Sequence, residues 1–550
     1  MAQKNTIGID SAYLKKLDTS LATIRISQDS KSDFIYAPHL SFIYSKASKE
    51  LGEKLIGDLK SGKFAPGLPI SIEVPKSARM KMSGKRGPSF SRPGSILLPK
   101  DRLLYQVLAD AAAPIIDERT DKSRSFSHML ADPGNESMFL PTRTCWSAFQ
   151  KALKDHSTDK KLHYVVKLDI ANCFGTLNQH MLINVLKSSG YPNELSGALE
   201  DLLGHFTATR SSRGIVQGVF PSDLLGNFYL DPVDRYLKDN KNPSARYVDD
   251  IYVFVETGEA AERVVRGLIA LLRQYDLSLN ETKSRVMAKS ALQAEEPDLE
   301  ALFQAAIEEV AAQTNDEDLD VDYGFQAEFD DDDDDEESDE DGNGDEEPDL
   351  ELAATKHLFD SVDEYEGHEE TIERFCLPLF AKSGSDHAVD YVLSNFTKRP
   401  AMAQIYVTYL SRFLDDLLYD VEGFLVRSLD DELLVDWQKM WILAGLLQAK
   451  SYKDDIVKTV WDVFNDANRH QALRAVAAIF VGRYGDHARR TNLINDYGPV
   501  GNPYIQTAIY YSSRWFPSAE RANARRTWGS LTELNQLMTA ALHNHAAAKL

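Results

Sequence analysis

Three short segments stand in a fixed order and carry the chemistry of this chain. The first, Val165-Val166-Lys167-Leu168-Asp169-Ile170, ends an apolar run in an acid, with Phe174 five residues further on. The second, Gln217-Gly218-Val219-Phe220-Pro221-Ser222, is a glycine-containing loop that leads into a helical pattern. The third, Tyr247-Val248-Asp249-Asp250, places two acids on a turn between apolar strands. Adjacent carboxylates in apolar surroundings are costly unless a counter-charge meets them. A third acid at another strand end adds to that cost where the fold brings the three together. Hard oxygen donors suit Mg²⁺, which takes one or two protein carboxylates along with substrate phosphates. Two such ions about 3.5–4 Å apart activate an attacking hydroxyl and stabilise a leaving pyrophosphate. The chemistry implied is phosphoryl transfer to a nucleotide. Taken singly, each segment has a plainer reading: paired acids on a turn form a solvated hairpin, and an acid after an apolar run caps a helix. The joint occurrence, in order and with the loop between, favours a site.

The elements that must position these residues are mixed. Lys161–Ile170 is apolar and β-branched and reads as a buried strand, and Arg246–Val255 reads as two strands around a tight turn. Leu103–Ile116 and Leu224–Leu237 have helical spacing, and Pro297–Gln313 reads as an amphipathic helix with its proline in the first turn. Beyond residue 352 the pattern is helical throughout. There an apolar helix closes on a basic residue followed by a ring or a small residue, at Arg412-Phe413, Lys450-Ser451, Arg483-Tyr484 and Arg514-Trp515. The intervals of 38, 33 and 31 residues suit stacked helix pairs.

A chain of 550 residues is too long for one core, and about three units are expected. The three cysteines, Cys145, Cys173 and Cys376, are too scattered for a disulfide framework and fit a reducing, cytoplasmic setting. No leader pattern opens the chain and no apolar run approaches the ~20 residues that span a bilayer, so no membrane partner is expected. The net charge of −24 is concentrated: 22 acids and no Lys or Arg lie between Asp316 and Glu351. Such a tract repels itself and is expected to be a disordered linker, or an acidic mimic that competes with nucleic acid. From Lys76 to Arg102, by contrast, there are eight Lys or Arg and one Asp, a basic strip suited to phosphate.

These segments resemble the palm of reverse transcriptases. Asp169 stands in the first palm motif, Gln217 to Ser222 match the QG-x-x-PS motif, and Tyr247 to Asp250 match YxDD. Leu279-Asn280-Glu281-Thr282-Lys283 is similar to the LN-x-x-K motif that follows. Val74-Pro75-Lys76, Arg92-Pro93 and Asp101-Arg102 are similar to the fingers pattern. The resemblance covers roughly residues 60–290. It implies that Asp169 and Asp249, with the carbonyl of Ile170, hold two Mg²⁺ or Mn²⁺ ions, and that Asp250 is the less direct third acid. It implies that Lys76 and Arg92 grip the triphosphate of a dNTP, that Phe174 lies under the sugar and excludes a 2′-hydroxyl, and that Gln217 and Gly218 border the template side. Lys283 then neutralises or protonates the leaving pyrophosphate. Val219-Phe220 and Gly226 depart from the residues most common at those places.

The full layout is similar to the bacterial abortive-infection and defence-associated reverse transcriptases of the unknown-group type. Arg124-Ser125-Phe126-Ser127-His128 and Trp146-Ser147-Ala148-Phe149 resemble two stretches of that group. The expected fold is therefore an α+β right-hand fingers and palm followed by an all-α, HEAT-like helical-repeat domain. The expected boundaries are 1–60, an N-terminal helical extension; 61–290, fingers and palm; 291–315, a helical connector; 316–351, the acidic linker; and 352–550, the helical repeats. The resemblance implies an RNA-directed or template-independent DNA polymerase acting in anti-phage defence, in some members primed on a protein tyrosine. Product DNA and, in other members, a non-coding RNA template are its nucleic-acid partners, with self-assembly through the helical domain. The alternatives are a templated enzyme copying a dedicated RNA, a ribonucleotide polymerase with a similar palm, and a palm kept only as an RNA-binding or sensing module.

Overall fold

The computed structural model describes residues 6–83, 85–208, 211–292, 302–303, 306, 350–365, 367–416, 418–529 and 532–548. The acidic tract therefore lies outside the described residues apart from its last two, and Pro297–Gln313 is described only at Leu302, Phe303 and Ala306, which are helical.

Two sheets frame the first half. Strands β1 (Ile70–Met82) and β2 (Lys85–Ile96) form a long antiparallel hairpin with irregular register between Pro75 and Lys81. Strands β3 (Tyr164–Asp169), β4 (Ser244–Tyr247), β5 (Asp250–Val255) and β6 (Arg285–Ala288) form a four-stranded sheet in the order β4-β5-β3-β6. All its pairings are antiparallel. Side chains alternate across a strand, so directly paired residues share a face. One face carries Val166, Leu168, Ile251 and Val253 into the large core. The other carries Val165, Ala245, Tyr252, Phe254 and Met287, covered by Phe149 and Leu153 of the helix Thr142–Thr158. The same face bears Asp169 opposite Asp250 at the open end of the sheet.

The single helical stretch read over Leu224–Leu237 is two helices, Phe220–Tyr229 and Asp231–Asp239. Pro232 has no amide hydrogen to continue the first, and it sits instead in the opening turn of the second.

Helices Thr19–Asp29, Pro38–Lys46 and Ser48–Lys60 precede the hairpin. After residue 350 all regular structure among the described residues is helical. Helices Glu369–Ser383, Ala403–Leu410, Asp436–Leu446, Gln471–Tyr484, Pro503–Ser512 and Glu533–Ala548 pack each on the next of this series, with shorter helices between them. The four basic-residue pairs noted in the sequence, three followed by a ring and one by Ser451, lie at or just beyond the ends of four of these helices. Arg483 stacks on Trp515, 5.3 Å from its centroid, which ties one such junction to the next.

This array packs on the N-terminal helices and also directly on the hairpin, where His470 meets the Ser71 carbonyl at 2.9 Å. Helix Glu533–Ala548 packs on Pro38–Lys46, His39 meets Tyr504 edge-on, and Asn544 donates to the Lys46 carbonyl. Among the described residues no helix is long and apolar enough to cross a membrane.

Candidate active site

Asp169 ends β3 because β-branched and leucine side chains hold the preceding residues in the sheet, while Asn172 turns the chain away in a left-handed conformation at φ 49°. Its carbonyl accepts from the Asn280 amide at 2.7 Å, and Ala171 donates to Ser278 at 2.8 Å. Those bonds, with the bridge between Ile170 and Leu279, lay the LN-x-x-K segment alongside the acid. Lys283 then reaches Oδ1 of Asp169 at 3.0 Å. Burial works to lower the Lys283 pKa, but its hydrogen bond to Asp169 and the charges of Asp169, Asp250 and Asp249 raise it on balance.

Asp249 and Asp250 sit on a strained turn. Val248 has φ 53°, a region that a β-branched residue rarely enters. Both sides of that residue are tied down. Its amide donates to Ser127 Oγ at 2.9 Å, and its carbonyl accepts from Arg246 Nη1 at 2.9 Å. Arg246, 2% exposed, also pairs with Asp234 at 2.6 Å and donates to Asn227 Oδ1 at 2.7 Å and Ser125 Oγ at 3.0 Å. The segment Arg124–His128 runs beside β4 through Arg246 N to Arg124 O at 2.7 Å and Phe126 N to Arg246 O at 3.0 Å. The arginine–serine stretch thus has a physical role as a brace for the acid turn. On the other face Trp146 and Phe149 enclose the Tyr247 ring at 5.0 and 5.4 Å, and burial pushes its hydroxyl up to about 12.

Burial raises the Asp249 carboxyl above the usual carboxylate range. The negative charge of Asp169 adds to this, while Lys283 and Lys76 oppose it. Cys173 is pushed up to about 12 by burial, with Asp249 and Asp169 adding to the shift. The three acids, Lys76 and Lys283 are thus gathered into one field. Among the described residues no three His, Cys, Asp or Glu side chains stand close enough to hold a metal ion as placed. The donors present are hard carboxylate oxygens, Asp169 and Asp250 standing opposite each other at paired strand ends, so the residues fit Mg²⁺ in kind.

The remaining residues implied by the resemblance have the following surroundings. Lys76 is exposed on β1. Arg92 on β2 lies over the ring of Phe34, 4.7 Å from its centroid. Gln217 is half-buried. Gly218 has φ 86°, and a Cβ built on it would fall 2.6 Å from Phe34. Ser222 is fixed by Tyr105 at 2.9 Å. A Cβ on Gly226 would fall 2.9 Å from the Phe174 ring, so the unusual glycine there is the floor on which that ring rests.

Sequence reading missed Arg246, Asp234 and Phe34. A charge in an otherwise apolar strand, directly before Tyr247, was the available signal for Arg246. Phe34 had none, since its partners lie far along the chain. The basic residues of the helical region are mostly engaged within it: Arg469 with Asp436, Arg489 with Asp454, Arg490 with Glu520, and Arg521 with two carbonyls. Tyr504, Tyr510 and Tyr511 of the helical region are buried.

Residues 84–314 match the family described as reverse transcriptase (RNA-dependent DNA polymerase). The chain therefore carries a reverse transcriptase domain, an RNA-directed DNA polymerase and hence a nucleotidyltransferase. The match begins after Lys76 and includes all three acids. No curated protein matches the chain. Solved structures similar to it include apo telomerase from Candida tropicalis, at 12% identity and TM-score 0.28, covering 74% of this chain and 73% of that one. Telomerase from Candida albicans in complex with a telomeric RNA fragment aligns at 11% identity and TM-score 0.26, covering 87% and 70%. Superpositions this loose transfer no residue roles.

Proposed function

We propose that this domain extends DNA by two-metal nucleotidyl transfer at Asp169, Asp249 and Asp250. The observation that carries the reading is the register placing Asp169 opposite Asp250, with Asp249 held beside them on the braced turn and Lys76 and Lys283 facing it. Asp169 and Asp249, with the Ile170 carbonyl, would hold Mg²⁺ or Mn²⁺, and Asp250 would assist. When bound, the ions lower the cost of forming the attacking 3′-oxyanion and the leaving pyrophosphate. Lys76 and Arg92 bind the triphosphate; the guanidinium fork suits phosphate oxygens. Phe174 closes the space at the sugar 2′ position, which selects dNTPs. Lys283, kept protonated by its acidic neighbours, supplies a proton or positive charge to the pyrophosphate.

The full-length protein should incorporate labelled dNTPs in preference to NTPs with Mg²⁺, and Asp249→Asn should abolish incorporation. Preference for NTPs, or full incorporation by the variant, refutes the reading.

The placement in anti-phage defence is supported by the sequence resemblance and by the helical array after the palm, which we read as a HEAT-like repeat that can also carry self-assembly. Replacing Asp249 and Asp250 by Ala should remove protection of host cells; unchanged protection would instead mark the palm as a binding module. Product DNA that stays on the polypeptide after denaturation would establish protein priming, whereas a discrete co-purifying RNA would establish a dedicated template.

A further inference from the structure

The segment Asp29–Phe34 joins three parts of the molecule. Arg102 of the helix Pro99–Arg119 binds Asp33 at 2.5 and 2.8 Å and Asp29 at 2.8 Å. Asp29 in turn accepts from the amide of Phe220, at the start of the helix that follows Gly218, at 3.0 Å. All three charged side chains are at most 4% exposed, so the segment has little freedom. Its last residue, Phe34, projects into the gap between the hairpin and the glycine loop. A Cβ on Gly94 would stand 2.7 Å from the Phe34 Cβ and 3.1 Å from its ring, and one on Gly218 would stand 2.6 Å from the ring. Arg92, two residues before Gly94, lies over the ring face. The Phe34 carbonyl accepts from Trp437 Nε1 at 2.6 Å, and Trp437 is buried in the helix Asp436–Leu446. Trp441, one turn on, meets Tyr36 at 5.8 Å.

We propose that Phe34 is a positioning residue of the nucleotide pocket, and that the C-terminal helical region sets nucleotide affinity through the Trp437 bond to it. A guanidinium stacked on a ring is held by the ring face, which leaves its N–H fork to phosphate oxygens. Phe34 thus orients Arg92 without competing for its donors. The same ring abuts Gly218, so the triphosphate side and the template side of the pocket share one wall. Trp437 fixes that wall from a helix more than 400 residues along the chain. Burial, and after it the charge of Arg374 in the helical region, lower the pKa of Arg92, so two cations approach each other beside this wall. The inference rests on the assignment of Arg92 and Gly218 to the nucleotide pocket.

The test uses the full-length protein and compares wild type, Phe34→Leu, Phe34→Tyr and Trp437→Phe in dNTP-dependent primer extension, with dTTP affinity measured separately by equilibrium dialysis. Phe34→Leu keeps an apolar filler but loses the ring face, and should raise the KM and Kd for dNTP about tenfold with kcat changed less. Phe34→Tyr restores the ring and should recover most of that affinity. Trp437→Phe removes the N–H together with part of a buried ring, so it should raise KM several-fold and also lower thermal stability. Unchanged Kd in Phe34→Leu, or a loss of kcat and folding with no change in KM, overturns the proposal. Should wild type itself neither bind nor incorporate dNTPs, the functional reading falls and this inference falls with it. If wild type binds and incorporates but Phe34→Leu matches it, only the inference falls.

Discussion

Arg246 offers the sharpest separation of stability from catalysis. Its side chain is buried with Asp234, and its other bonds reach Asn227, Ser125 and the Val248 carbonyl. Arg246→Met leaves the Asp234 charge buried and uncompensated, which costs about 3–5 kcal/mol. That is a large fraction of the roughly 5–15 kcal/mol that holds a typical domain. Arg246→Met/Asp234→Leu removes both charges, and replacing a whole buried pair by apolar groups is often close to neutral. The double variant should therefore recover most of the lost stability. Activity should not follow. Val248 at φ 53° carries strain on the order of 1–3 kcal/mol, and it keeps that geometry because its amide and carbonyl are both held. Without Arg246 the carbonyl is released, the turn relaxes, and Asp249 moves. A displacement of about 1 Å at a reacting centre can cost on the order of 100-fold in rate. Urea denaturation followed by tryptophan fluorescence reads the first quantity, and single-turnover dNTP incorporation reads the second. If the double variant regains both folding and rate, Arg246 serves only to neutralise Asp234. If Arg246→Met costs less than about 1 kcal/mol, the uncompensated-charge reasoning is itself wrong.

Other outcomes follow from the same geometry. Asp101 accepts from the Gly67 amide, and burial nevertheless pushes its carboxyl up to about 7. An acid with a raised folded pKa loses native stability as pH rises through the window from its unfolded value near 4 to about 7. Asp101→Asn should therefore be more stable than wild type at pH 8 and similar at pH 4, by urea midpoint; the opposite order refutes the assignment. Gly226→Ala should push the Phe174 ring and lower dNTP incorporation efficiency several-fold, whereas Gly226→Ala/Phe174→Leu should recover part of it, in a double-mutant comparison of kcat/KM. Phe174→Val should raise NTP incorporation relative to dNTP by about tenfold or more, and an unchanged ratio would remove Phe174 from the sugar side. Mg²⁺ should raise the melting temperature of wild type more than that of Asp249→Asn.

What was legible in the sequence was local. The apolar, β-branched run before Asp169, and the pair of apolar strands around Asp249-Asp250, are compositional patterns, and each falls in the strands observed. The glycine loop opening on Phe220 was legible for the same reason. The helix break at Pro232 was also present in the residues, but continuous apolar spacing on both sides masked it. Burial was not legible. Arg246 reads as a surface charge at a strand start, and only the packing of Asp234, Asn227 and Ser125 around it shows that it braces a turn. How the basic residues of the helical region are paired is likewise set by packing. Several proved to bind carboxylates or carbonyls of neighbouring helices.

The least legible feature is the one that organises the rest. Nothing in residues 29–34 resembles a motif, yet Asp29 and Asp33 meet the arginine of the Asp101-Arg102 pair, and Phe34 meets Arg92 and Gly218. Two segments recognisable by pattern are thus joined by one that is not. Burying two acids with a single arginine is weak evidence for stability, since desolvation offsets much of the attraction, and burial raises Asp33 to about 7 despite Arg102. A simple apolar contact would fill the same space at lower cost. What the charged cluster adds is geometry: its bonds admit one arrangement of the hairpin-side helix, the Phe220 amide and the ring that follows. That is the property a pocket needs when its two walls come from distant parts of a chain. It also explains why the ring is tied onward to Trp437, because a wall fixed on one side alone would still be free to tilt.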